Sequence, residues 1–179
     1  KVFLSPSDQD DNAVHSGGHE QQYAQVRAAA CADVLRASGI EVKISTAGVG
    51  DDSGGYIASI NEGNAWGPDL YIADHSNAVA PGVTKRRGVH IYVWPKDDDA
   101  RRLAQLVIDE FKPIFGDVPS GILDGSHLGE VNSTNATALL LDAVGADRDA
   151  VVADYASSEQ NLAGDWADGM LRMVASFGI

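Results

Sequence analysis

Four stretches of the chain carry side chains that could do chemistry together. The segment Asp69-Leu70-Tyr71-Ile72-Ala73 is an apolar run that leads through Asp74 to His75, where Ser76-Asn77 breaks the strand pattern. In an open α/β sheet, functional groups sit just beyond the carboxyl ends of strands, so His75 stands where such a group is placed. The first strand ends in a comparable way, on Ser5-Pro6-Ser7-Asp8-Gln9, and a late apolar run ends on Asp142. Glu20 lies in the first turn of a helix that returns from the first loop. An imidazole and carboxylates gathered from separate strand ends are what a zinc hydrolase requires. Three protein ligands hold the ion, a fourth position carries water, and a nearby carboxylate handles the proton. Each residue also has a plainer reading. The helix dipole favours Glu20 in a first turn whatever its function, His75 could be a hydrogen-bonded strand-end histidine, and Asp142 could cap a turn.

The elements that would position these groups follow from periodicity. Lys1–Ser5 reads as a strand halted by Pro6, and residues 6–18 form a polar loop. From His19 to Ser38 the residues Tyr23, Val26, Ala30, Cys31, Val34 and Leu35 recur at helical spacing, and Gly39 closes that helix. Glu41–Thr46 is a second strand, followed by a Gly/Asp-rich loop through Gly55. Tyr56–Ala65 is a shorter helix stopped by Gly67-Pro68. Asp69–Ala73 and Gly88–Trp94 are the third and fourth strands, and Asp97–Phe115 is helical through Leu103, Leu106, Val107 and Phe111. Thr137–Leu141 is a buried strand, with helices predicted over Ala150–Tyr155 and Leu162–Phe177. Strands alternating with helices give an α/β fold: one three-layer sandwich, with a mostly parallel central sheet flanked by helices. No repeat or linker divides residues 1–179, so a single catalytic domain is expected.

Bulk composition narrows the partners. With 26 acidic against 13 basic residues the net charge is −13, which repels phosphate backbones and anionic lipid. Neither nucleic acid nor a membrane is therefore an expected partner, and no apolar run approaches the ~20 residues of a spanning helix. The basic cluster Lys85-Arg86-Arg87 reads as a solvated loop. A lone cysteine, Cys31, excludes an internal disulfide framework and a Cys-rich zinc site. The loop Gly48–Gly55 lacks the Gly-x-Gly-x-x-Gly pattern, which weighs against a nucleotide binder. His90 reads as a structural histidine within the fourth strand, and Trp66 and Trp94 as packing residues at strand boundaries.

The order and spacing of these motifs resemble the zinc-dependent N-acetylmuramoyl-L-alanine amidases of the type 3 family, over nearly the whole chain. The matching segments are Leu4-Ser5-Pro6-Ser7-Asp8-Gln9, Gly18-His19-Glu20, Ala73-Asp74-His75-Ser76-Asn77-Ala78 and Leu140-Leu141-Asp142-Ala143-Val144. The opening is similar to a Ser-Pro-Ser-x-Gln-x-x-Asn variant, carried by Ser5, Pro6, Ser7, Gln9 and Asn12. The resemblance implies Zn2+ held by His75 and Glu20, with Asp8 or His15 as third ligand. His19 is a weaker choice, because adjacent helical residues point about 100° apart. It also implies that Asp142 carries the proton, where the family has Glu. Asn77, shortly after His75, is a candidate substrate contact. His127, in the loop Asp124-Gly125-Ser126-His127, is exposed by pattern and is read either as a solvated loop histidine or as a second substrate contact. The implied reaction is hydrolysis of the amide between N-acetylmuramic acid and L-alanine in peptidoglycan. The two departures, at Asp8 and Asp142, raise an alternative: a degraded amidase that binds wall fragments without cutting them. A wall substrate implies a secreted or wall-associated protein, or a phage-encoded one released at lysis. The acidic charge leaves room for a separate wall-binding module.

Overall fold

The computed structural model describes residues 1–11, 18–47, 55–76, 89–115, 120–143, 167, 169–176 and 178. The predicted helix over Ala150–Tyr155 and the basic cluster at 85–87 lie outside these residues. In chain order the elements are β1 (Val2–Pro6), α1 (Glu20–Ala37), β2 (Val42–Ile44), α2 (Gly55–Trp66) and β3 (Leu70–His75). They continue with β4 (Val89–Val93), α3 (Asp98–Phe115), β5 (Gly121–Asp124), α4 (Gly129–Asn132) and β6 (Thr137–Ala143). Residues 169–176 are again helical. Among the described residues no helix is long and apolar enough to cross a membrane.

One sheet carries the fold, in the order β2-β1-β3-β6-β4-β5. Strands β2, β1, β3 and β6 run parallel, while β4 pairs antiparallel with β6 and parallel with β5. The sheet is thus mostly parallel with helices on both faces, as the alternation of strands and helices predicts. Strand β5 and the four-residue α4 are additions that periodicity did not reveal, because each is too short to establish a pattern.

Side-chain alternation sorts the residues of each strand between two cores. Val2, Leu4, Leu70, Ile72, Val89, Ile91, Leu139 and Leu141 face the larger one, with Ala28, Leu35, Leu103, Val107 and Met173 packed among them. Phe3, Tyr71, Ala73, Ala138 and Leu140 form the smaller one on the opposite face with Val131. The second face is the one that leads to His75, since Tyr71, Ala73 and His75 share it along β3.

The two ends of α1 fix its length and its reach over the sheet. The helix stops where the sequence predicts: Gly39 has φ +84°, its N–H donates to the Arg36 carbonyl, and the Ile40 N–H donates to the Leu35 carbonyl. This is a Schellman ending, which requires a left-handed residue that only glycine adopts without strain. At the other end α1 begins directly on Glu20, so its first-turn carboxylate lies over the top of the sheet.

Candidate active site

The last residue of β3 and the first residue of α1 meet. His75 Nδ1 lies 3.2 Å from Glu20 Oε1, and both side chains are well sequestered from solvent. The Glu20 carboxylate also accepts the Ser76 N–H at 3.0 Å. Burial pulls its pKa up, but hydrogen bonds from His75, Ser7 and the Ser76 N–H prevail and hold it at about 2. Burial alone would make the imidazole easier to deprotonate. Two carboxylates, Glu130 and Glu20, overcome that and raise the His75 pKa to about 10.

Glu130, on α4, was not legible as a site residue in the sequence. Its Oε2 lies 2.9 Å from His75 Nε2, opposite the edge that faces Glu20. Its Oε1 accepts from Ser5 Oγ at 2.5 Å and from Tyr71 Oη at 3.0 Å. Ser59 completes a closed ring of polar groups, 2.6 Å from Ser5 Oγ and 3.2 Å from Tyr71 Oη. Burial and the adjacent Glu130 carboxylate both push the Tyr71 phenol up, so it stays a donor. Ser5, Tyr71 and His75 reach this place because all three lie on the sheet face of the smaller core, at odd positions of β1 and β3. A signal for Glu130 existed only weakly. It is an acidic residue in a Gly/Ser/Asn/Thr-rich stretch directly ahead of a buried strand.

Beneath this cluster Arg27 makes a two-pronged contact with Asp74, Nε to Oδ2 at 2.9 Å and Nη2 to Oδ1 at 3.0 Å. Burial pushes the Asp74 carboxyl up, and the guanidinium opposes that shift. The pair ties the middle of α1 to the end of β3, so Glu20 and His75 are held by the same two elements.

A cavity opens beside His75 and Glu130, lined by Ser5, Pro6, Ser7, Asp8, Ala47, Gly55, Tyr56 and Ser59. Asp8 therefore borders the same cavity as His75 and Glu130. Its carboxylate turns toward the first residue of α2: a side chain at Gly55 would meet Asp8 Oδ2 at 2.8 Å. Asp142 on β6 is the register partner of His75 and shares its sheet face. His90 on β4 is in turn the register partner of Asp142. His127 is exposed and meets the Tyr92 ring edge-on at 6.1 Å. His19 is also exposed, and its backbone N–H donates to Gln22 Oε1 at 3.2 Å. Trp66 packs on Phe3 at 6.2 Å, whereas Trp94 stands exposed at the end of β4. His15 and Asn77 lie outside the described residues.

Among the described residues no three His, Cys, Asp or Glu side chains are arranged to hold one metal ion. The reason is geometric. Glu20 and Glu130 flank opposite edges of the imidazole and do not converge on a single point. The Nδ1 edge nevertheless suits a shared ion. Two ligand atoms of a tetrahedral zinc shell stand roughly 3.4 Å apart when each bond is about 2.1 Å. The separation of 3.2 Å between His75 Nδ1 and Glu20 Oε1 matches that spacing. The donor types would suit zinc as well, with His75 and Glu20 as two candidate ligands.

The fold has counterparts of known structure. The amidase AmiC2 of Nostoc punctiforme superposes with a TM-score of 0.80 at 13% identity, over 98% of this chain and 95% of that one. Ami1 from Mycobacterium smegmatis gives 0.77 at 16% identity, again over 98% and 95%. The catalytic domain of the CD27L endolysin targeting Clostridia difficile gives 0.74 at 19% identity, over 98% and 96%. No curated protein sequence matches the chain. Likenesses at such identities establish the fold, and membership rests on a sequence model of the N-acetylmuramoyl-L-alanine amidases that matches residues 6–172. With nearly the whole length matched and the family's architecture in place, the chain belongs to the N-acetylmuramoyl-L-alanine amidase family of hydrolases.

Proposed function

We propose that this chain is a single catalytic domain that hydrolyses the amide joining N-acetylmuramic acid to L-alanine in peptidoglycan, and that it does so with zinc. The observation that carries the reading is the 3.2 Å approach of Glu20 to His75 Nδ1 at the carboxyl end of β3, in a member of this family. His75 and Glu20 would hold the ion, with Asp8 or His15 as third ligand. When bound, zinc lowers the pKa of a coordinated water to about 7 and polarises the scissile carbonyl.

The chain's own residues do the rest. Glu20 and His75 are fixed by buried hydrogen bonds before substrate arrives, so no reorganisation is needed at the moment of reaction. Asp142, beside His75 in the sheet, takes the proton from the attacking water and delivers it to the departing amine. The carbon–oxygen bond forms, the carbon–nitrogen bond breaks, and the products are a muramic carboxylate and a free alanine amine. Asn77 and His127 contact the substrate. Aspartate in place of glutamate sets the proton carrier back by one methylene. A misplacement of about 1 Å can lower a rate on the order of 100-fold, so with Asp142 in that role the site is expected to be a slow amidase. A wall substrate places the protein outside the membrane, by secretion or by release at lysis. Its acidic surface calls for a separate wall-binding module.

The test is the appearance of new alanine amino termini from purified peptidoglycan, without new reducing sugar ends. A strong chelator abolishes the release and added zinc restores it. Asp142→Asn lowers the rate by about 10²–10⁴-fold with zinc content unchanged. Wild-type protein that liberates no alanine termini, with zinc supplied, would overturn the proposal. Full activity in Asp142→Asn would remove that residue from its role.

A further inference from the structure

Glu130 sits against His75 in a way that the proposed reaction does not itself use. Both its oxygens are engaged: Oε1 takes hydrogen bonds from Ser5 and Tyr71, and Oε2 faces His75 Nε2 at 2.9 Å. The residue is 4% exposed where it borders the cavity, so its carboxylate is tied into the protein rather than open to solvent. A carboxylate offers acceptors only, whereas a neutral imidazole has one N–H and one lone pair. The hydroxyl arithmetic fixes the direction of every bond around it. Ser5 and Tyr71 each give their single proton to Glu130, which leaves Ser59 to donate to one of them. The group facing Oε2 must therefore be the donor, and that donor is His75 Nε2–H. Once the Nδ1 proton is given up, the lone pair is on Nδ1, the nitrogen that Glu20 approaches.

We infer that Glu130 is a positioning residue that fixes the His75 tautomer and ring orientation, so that Nδ1 and not Nε2 is the nitrogen presented to the metal. The inference rests on the zinc reading of this same site and deepens it. A histidine ligand is commonly held by a carboxylate on its far nitrogen, and loss of that partner typically weakens metal binding about 10–100-fold. Here the holding carboxylate is itself held, by two hydroxyls on two strands of the sheet.

Zinc affinity measured by competition with a chelator, together with ¹⁵N spectra of histidine-labelled protein, tests this. In zinc-loaded wild type, the resonance set that disappears in His75→Ala is expected to show metal on Nδ1 and a slowly exchanging proton on Nε2. Glu130→Ala is expected to bind zinc about 10–100-fold more weakly. Glu130→Gln keeps an oxygen for Nε2–H but turns an NH2 donor toward two hydroxyls that also donate, so it restores only part of the affinity. The spectrum of the wild type decides the nitrogen even if Glu130→Ala does not fold. Metal on Nε2, or zinc affinity unchanged in Glu130→Ala, would overturn the positioning role while leaving the zinc reading intact. A wild type that binds no zinc would overturn both.

Discussion

His75 is clamped between two carboxylates, and this shapes how the metal-free protein responds to pH. The Glu20 pKa falls from 4.5 to about 2 on folding, so its contribution to stability is present above pH 4.5 and is lost as pH drops toward 2. The His75 pKa rises from 6.5 to about 10, so its contribution is full below pH 6.5 and is lost as pH climbs toward 10. The metal-free protein is expected to be most stable between these limbs, with stability declining from neutral pH into the alkaline range. Urea unfolding across pH checks this, and His75→Gln should flatten the alkaline limb. If His75 is the proposed zinc ligand, zinc would displace the imidazole proton, and its affinity should rise with pH over the same interval. His75 and Glu20, which the structure brings together, were legible in the sequence because each stands at the end of a periodic run, and Asp142 ends the late run as the register neighbour of His75. Glu130 was not, because its four-residue helix has no periodicity and its importance comes from partners at positions 5, 71 and 75.

At the level of elements, α1 and β3 form the frame of the site, and the Arg27–Asp74 pair locks them together. Their side chains are 10% and 8% exposed, so neither charge has water to fall back on. Replacing Arg27 with Met would leave Asp74 buried without its guanidinium, at a cost of about 3–5 kcal/mol. Denaturant unfolding should show that loss, and the double variant with Asp74→Asn should recover part of it. A loss under about 1 kcal/mol would mean that the pair does not hold the frame. On the other face α2 approaches closely at Gly63, where a methyl group would meet the Tyr71 ring at 2.8 Å. Phe3, stacked on Tyr71 at 5.2 Å, leaves that ring little room to shift. Most of these elements were visible from apolar spacing, with ends displaced by one or two residues. Strand β3 extends past its apolar run through Asp74 to His75, because Arg27 supplies the partner that lets a carboxylate continue a buried strand.

The whole molecule presents a mostly parallel sheet whose paired strands β3 and β6 end at one row, where His75 and Asp142 are neighbours. Alternating strands and helices predicted that layer order. The reversed direction of β4 and β5 had no signal in local sequence, since strand direction depends on a connection and not on a side-chain pattern. The net charge of −13 bears on substrate encounter. Anionic wall polymers should repel the isolated domain at low ionic strength, and salt should relieve that repulsion. Co-sedimentation with anionic wall is therefore expected to increase as salt is raised toward about 0.15 M. A decrease would point instead to a local basic contact with the wall. The most direct measurement is zinc content after dialysis, by elemental analysis of wild type beside His75→Ala and Glu20→Ala. About one zinc per wild-type chain is expected, with little or none in either variant. A full equivalent retained in both variants would contradict the sharing of one ion by these two residues.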